Sequence, residues 1–142
     1  MSYETKKDVG KMQSFYRRAD AASESKIRVR IFEDMRTEFK HSLNPDNARL
    51  IAETINALMN SEGGKLIIGI DETGEVIGLN PTLKSLSLQK PSEVASYIIT
   101  IVERYIGKEH VPPVSPAVLP AGSEHYCEVY VIKSPELVSF KD

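Results

Sequence analysis

Cysteine occurs once in these 142 residues, tryptophan not at all, and histidine three times. A lone Cys127 excludes an internal disulfide and fits a reducing compartment, cytosol or nucleus. With only His41, His110 and His125 beside it, the chain lacks the ligands of a structural zinc site, so no zinc is expected. Long apolar runs are missing too. Nothing approaches the roughly 18 residues of a membrane span, and the opening "MSYETKKDVGK" lacks the apolar core of a signal peptide. No membrane contact is expected. Charge of one sign is also scarce: 18 basic against 20 acidic residues give a formal net charge of -2. A polyanion site must therefore be a local patch rather than a property of the whole surface.

What is present is an ordinary globular complement, 41% hydrophobic and 27% charged, at a length that suits one core. Residues 1–24 read as an N-terminal extension, polar at first and partly helical, because Met12, Phe15, Tyr16 and Ala19 recur at intervals of three and four with Arg17 and Arg18 facing water. From Lys26 the period changes to two. Lys26, Arg28 and Arg30 alternate with Ile27, Val29 and Ile31, which predicts a strand with a basic stripe opposite an apolar one. Residues 25–142 form the main domain.

"LNPDNARLIAETINALMNSEGG" predicts a helix capped by Asn44, with Pro45 at its first position and Gly63-Gly64 as its stop. Its buried stripe is Leu50, Ile51, Ile55, Leu58 and Met59. "KLIIGI" then reads as a strand covered on both faces, followed by a turn at Gly74 and a second short strand over Glu75 to Gly78. A Ser- and Leu-rich connector leads to a helix that Ser92 can cap, with Val94, Tyr97, Ile98, Ile101 and Tyr105 toward the core. "VPPVSPAVLPAG" carries four prolines and is at most an edge strand. "HYCEVYVIK" alternates, with Tyr126, Glu128, Tyr130 and Ile132 on one side and Cys127, Val129 and Val131 on the other. The predicted fold is a mixed α/β (α+β) layer structure, a mainly antiparallel sheet with two or three helices packed on it.

The candidate chemistry lies in "EDMRTEFK". Glu33 and Glu38 are five residues apart, an interval that puts them on opposite faces of a regular strand and far apart around a helix. A bulge or break near Asp34 to Thr37 turns both to one side, with Phe39 as the buried residue after a slip of one. Asp71 follows the apolar run Leu66 to Ile70, where a buried strand emerges and sheet proteins tend to build sites. Three carboxylates from separate segments suit a hard divalent cation, and Lys40, on the face of Glu38, suits the negative charge that develops on a phosphodiester. The plainer reading is that acids at strand ends simply face solvent. Gly63-Gly64 reads as a helix stop, Asn60 as a cap, and His110 and His125 as loop or surface residues.

"TEFKHSLN" followed by "INALMNSEGGKLIIGIDETGEVIGL" resembles the divergent AlbA-type (AlbA_2) domain of Schlafen and Schlafen-like proteins. Its pattern is E-F-K, a helix, then A-x-x-N-x-x-G-G-x-L-x-x-G-[VI]-[DE]-x-x-G-x-[VI]-x-G. The match is strong over about Glu33 to Leu79 and weaker beyond, and as a whole the motif is specific. In the vertebrate Schlafen nucleases two such lobes form a trough for structured RNA such as tRNA, which three acids in one lobe cut with magnesium or manganese. Glu33 and Glu38 match the first two acids, and Asp71 matches the third, with Glu72 as the substitute. The resemblance thus implies an endoribonuclease lobe: Glu33, Glu38 and Asp71 on Mg2+ or Mn2+, Lys40 on phosphate, and Lys26, Arg28 and Arg30 on the RNA backbone. Vertebrate members carry a His and Cys zinc knot that this chain lacks, and two lobes where it has one, so a trough calls for a homo- or heterodimer with another Schlafen-like lobe. The alternative is a non-catalytic nucleic-acid-binding or dimerisation lobe that completes the groove of a catalytic partner.

Overall fold

The computed structural model describes residues 36–141 in full, and residues 16–19 and 27–30 along their backbone. Those two short segments are β1 (Tyr16–Ala19) and β2 (Ile27–Arg30), an antiparallel pair that sets Arg18 opposite Arg28 and Tyr16 opposite Arg30. β2 falls where the alternation predicts a strand. Tyr16–Ala19 is extended where the spacing predicts helix, since four residues of that composition satisfy either period and strand pairing decides between them.

The main sheet has four strands in the order β3-β4-β6-β5. β3 (Thr37–Lys40) runs parallel to β4 (Gly64–Ile68), and the connection between them is α1 (Ala48–Met59). β5 (Val114–Ala121) and β6 (Glu124–Val131) form a hairpin whose inner strand pairs antiparallel with β4. Two antiparallel interfaces and one parallel one make the mixed, mainly antiparallel sheet that the order of elements predicts. The proline-bearing segment takes an outer edge, where its missing N–H groups cost no ladder bonds.

Asn44 and Pro45 form a turn just ahead of α1, whose first helical residue is Ala48 rather than Pro45. The Asn44 side-chain oxygen accepts the N–H groups of Asp46 and Asn47 at 2.9 and 3.0 Å, while Asn47 Oδ1 accepts the Asn44 N–H at 2.8 Å. This reciprocal exchange is a capping box with asparagine at both positions, and regular helix follows from Ala48. Ile51, Ile55, Leu58 and Met59 are buried, but Leu50 is 49% exposed and does not belong to the stripe. The Gly63 N–H bonds back to the Leu58 carbonyl at 2.9 Å with φ of 80°, closing the helix as expected.

Both faces of β4 are covered. Leu66 and Ile68 face the helices with Cys127, Val129 and Val131, whereas Ile67 belongs to a second cluster with Ile70, Ala121 and Tyr126, against which Phe39, Val76 and Leu119 pack. That explains the unbroken apolar run "LIIGI". The second strand expected over Glu75 to Gly78 is reduced to a single bridge, Ile70 to Val76, at the close of a tight turn. Where the sequence predicts a connector, a helix, α2 (Asn80–Leu86), sits next, fastened by the fully buried Thr82, whose hydroxyl accepts the Leu43 N–H at 2.9 Å. α3 (Ser92–Tyr105) opens without a Ser92 cap. Glu93 instead turns back to accept the N–H groups of Gln89 and Lys90, which holds its carboxyl below the usual range. No helix among the described residues is long and apolar enough to cross a membrane.

Cys127 is buried in the helix-side core, and burial pushes its thiol from an ordinary 9.0 up to about 12. An unfolded thiol ionises near 9 while the folded one keeps its proton, so this group's contribution to stability is lost as pH rises between those values. Thiol reagents at pH 8.5 are expected to label Cys127 only after urea unfolds the chain; rapid labelling of the native protein would contradict the packing described.

Candidate functional site

Phe39 explains how the site begins. Its ring packs into the second apolar cluster, so its neighbours Glu38 and Lys40 project from the other face of β3, level with Leu66 and Ile68. Glu38 is exposed and Lys40 half-buried. Among the described residues neither makes an ion pair, with the other or with any third group. An acid and a base thus stand two residues apart on one face of an edge strand, with no ion-pair partner for either among the described residues.

The parallel ladder is regular from Arg36 onward, whose carbonyl accepts the Lys65 N–H at 2.8 Å. The irregularity expected near Asp34 to Thr37 therefore does not reach Thr37, and its remaining span, with Glu33 and Lys26, lies outside the described residues. Arg28 and Arg30 occupy alternate positions of β2.

At the other end of the pair, the Lys40 carbonyl accepts the Gly69 N–H at 2.9 Å, and β4 gives way to the turn that Asp71 organises. One carboxylate oxygen of Asp71 accepts three hydrogen bonds, from the Thr73 N–H at 2.8 Å, the Thr73 hydroxyl at 2.7 Å and the Glu75 N–H at 3.0 Å. This is an Asx turn, and "DETG" is its sequence signature. Glu72, one residue on, is exposed.

Strand register sets the spacing of these groups. Glu38 is level with Leu66, Lys40 with Ile68, and Asp71 comes three positions later. At about 3.3 Å per residue, an extended path separates the Glu38 and Asp71 backbones by about 16 Å along the strand, with Lys40 between them. Gly69, at φ of 97°, departs from that extended path. Among the described residues no three His, Cys, Asp or Glu side chains lie close enough to hold a metal ion.

Two glycines of the motif answer to close packing. A Cβ on Gly64 would collide with the backbone carbonyl of Arg36, and one on Gly63 with the Val131 carbonyl. Asn60 is the C-cap of α1, as expected, and it has a second role. Its side chain accepts the Val138 N–H at 2.7 Å and donates to the Val138 carbonyl at 2.9 Å, and Asn56, one turn earlier, donates to the same carbonyl at 3.1 Å. The two asparagines strap the C-terminal segment along α1, a role no local pattern reveals because 78 residues separate the partners. Asn60→Ala is expected to lower stability by about 1–2 kcal/mol, read as an earlier urea midpoint with an unchanged slope; an unaltered midpoint would remove the strap from the stability account.

The family described as "Schlafen, AlbA_2" matches this chain over residues 33–140. No curated protein matches the chain. Among solved structures, the DIP2311 protein of Corynebacterium diphtheriae is similar in fold, with a TM-score of 0.57 and 20% identity over 80% of this chain. The present chain spans only 23% of that protein's length. With a match that runs from Glu33 through the strapped tail and includes the E-F-K strand, the paired glycines and the Asp71 turn, the chain belongs to the Schlafen AlbA_2 family.

Proposed function

We propose that this chain is the catalytic lobe of a metal-dependent endoribonuclease acting on small or structured RNA, paired with a second lobe of the same kind, either another copy or a related chain. The observation that carries this reading is Glu38 and Lys40, unpaired among the described residues, on one face of an edge strand next to the turn that Asp71 organises. Charged side chains with no internal partner are available to external charges of opposite sign. The donor set also fits the ion implied. Glu33, Glu38 and Asp71 offer oxygen only, the preference of Mg2+ and Mn2+, with Glu72 as the substitute third acid. When bound, such an ion supplies an activated water and neutralises charge on the phosphodiester.

The chain's own residues do the rest. Lys40 donates to a non-bridging phosphate oxygen and stabilises the charge that builds there. The hydrogen bonds to Asp71 fix one of its oxygens, so the carboxylate is oriented before substrate arrives. Lys26, Arg28 and Arg30 contact RNA phosphates, which positions the strand without reading its sequence.

The strand distance between Glu38 and Asp71, together with the turn bonds that already engage Asp71, favours a second reading: a nucleic-acid-binding or dimerisation lobe that completes the groove of a catalytic partner. One experiment separates them. The purified chain, alone and with any co-purifying partner, is incubated with small structured RNAs and manganese, beside an EDTA control and Glu38→Ala. Manganese-dependent cleavage lost in the variant supports the nuclease. Retained binding with no cleavage in any combination supports the second reading, and cleavage indifferent to Glu38 ends the first.

A further inference from the structure

Away from β3, a hollow of about 420 Å³ opens at the C-terminal end of α3, lined by Thr100, Glu103, Arg104, Lys108, Glu109 and Lys141. Its three cations are held from three different segments: Arg104 on the last turn of α3, Lys108 on the short 3-10 turn Lys108–His110, and Lys141 on the strapped tail. Arg104 lies 5.2 Å over the Tyr105 ring, Tyr105 stacks on Phe140 at 5.7 Å, and Arg49 covers the other ring at 5.3 Å from its centroid. The Lys141 N–H donates to the Tyr105 carbonyl at 2.6 Å, which fixes where that side chain starts.

Among the described residues none of the three cations makes an ion pair, although two carboxylates line the same hollow. Glu109 is diverted: its carboxylate folds back over Gly107, where φ of 131° and the lack of a Cβ leave room, and lies 3.7 Å from His110 Nε2. Helix C-termini ordinarily repel anions through exposed carbonyls. Here the Tyr105 carbonyl is taken by the Lys141 N–H, and that of Gly107, just beyond the helix, by the His110 N–H. Three exposed positive charges, none in an ion pair among the described residues, thus line one hollow together with the carboxylates of Glu103 and Glu109.

We propose that this hollow binds a phosphate group, and that in the assembled protein this is a backbone phosphate of the RNA outside the cleavage site. The phosphate chemistry stands on the three cations, and only the identity of its bearer rests on the function proposed above. Arginine and lysine are the residues that hold phosphate, the first by its planar fork and the second as a compact charge.

The test has two arms, run on the whole chain and on a Lys108→Gln, Lys141→Gln double variant that leaves the Arg104 stack intact. In the first, inorganic phosphate is titrated at constant ionic strength, with chloride as control, while the backbone amide signals of Gly107, Lys108 and Lys141 are followed by NMR. Saturable shifts in the wild type that vanish in the variant are expected; shifts that are linear, or equal in both proteins, overturn the site. In the second, affinity for an RNA hairpin is measured against salt. The variant is expected to bind about tenfold more weakly, with the slope of log affinity against log salt smaller by about 1–2. Phosphate binding without an effect on RNA keeps the site and rejects RNA as the bearer. RNA binding absent from the wild type, with the phosphate shifts intact, leaves the site standing and removes the proposed function instead.

Discussion

Glu38→Ala is expected to lower manganese-dependent RNA cleavage at least about a hundredfold while the thermal midpoint barely moves. A ligand oxygen that holds charge only in the reacting complex is worth several kcal/mol, and about 2.7 kcal/mol is already two decades in rate. Stability is spared because the Glu38 side chain is exposed and unpaired, and surface changes of that kind stay within about 0.5 kcal/mol. Lys40→Gln is the internal comparison: it keeps the length of the side chain, removes the charge, and is expected to cost less than Glu38→Ala and chiefly in kcat. A Glu38→Ala protein that cleaves within about threefold of wild type would show that this carboxylate holds no ion, and the lobe would then be read as a binding partner.

Gly64→Ala is expected to be the most damaging single methyl in the molecule. Gly64 has φ of 151°, a conformation side chains rarely adopt, and the added carbon would meet the Arg36 carbonyl and side chain where β3 and β4 come together. Backbone strain of this kind costs about 1–3 kcal/mol and overpacking another 1–3. A combined loss of about 3–5 kcal/mol corresponds to a thermal midpoint lower by roughly 10 °C or more for a domain of this size. The consequence also reaches the site, since the Lys65 N–H to Arg36 carbonyl bond that begins the parallel ladder is the first thing the methyl displaces. A midpoint within about 3 °C of wild type would mean that the two strands can part at this point without cost.

Much of the fold was legible because patterning and punctuation agreed. Asn44 with Pro45 announced α1, Gly63 its end, and the run Leu66 to Ile70 a strand buried on both faces. α2 was not legible: over Asn80–Leu86 only Thr82 is fully buried, and Leu83 and Leu86, partly buried against the core, make too short a stripe to read in seven residues. Leu50 failed for the opposite reason, an apolar residue on the solvent side of a genuine helix. In the site, Glu38 and Lys40 were recognisable from their places around Phe39, and the Asp71 turn from Thr73 and Gly74. The cation hollow was not recognisable, since Arg104, Lys108 and Lys141 belong to three segments that meet only after the tail is strapped down. Asn60 shows the same limit, with a partner 78 residues away.

The prolines of β5 have a consequence for how copies of this molecule can meet. Pro116 and Pro120 lie on the outermost strand and have no N–H to offer a newcomer. The opposite border is β3, four residues long with two charged side chains. Stacking of sheets into a fibre requires hydrogen-bonding borders on both sides of every copy, and the four-stranded sheet presents at most one. Association through backbone pairing of this sheet therefore stops at two chains.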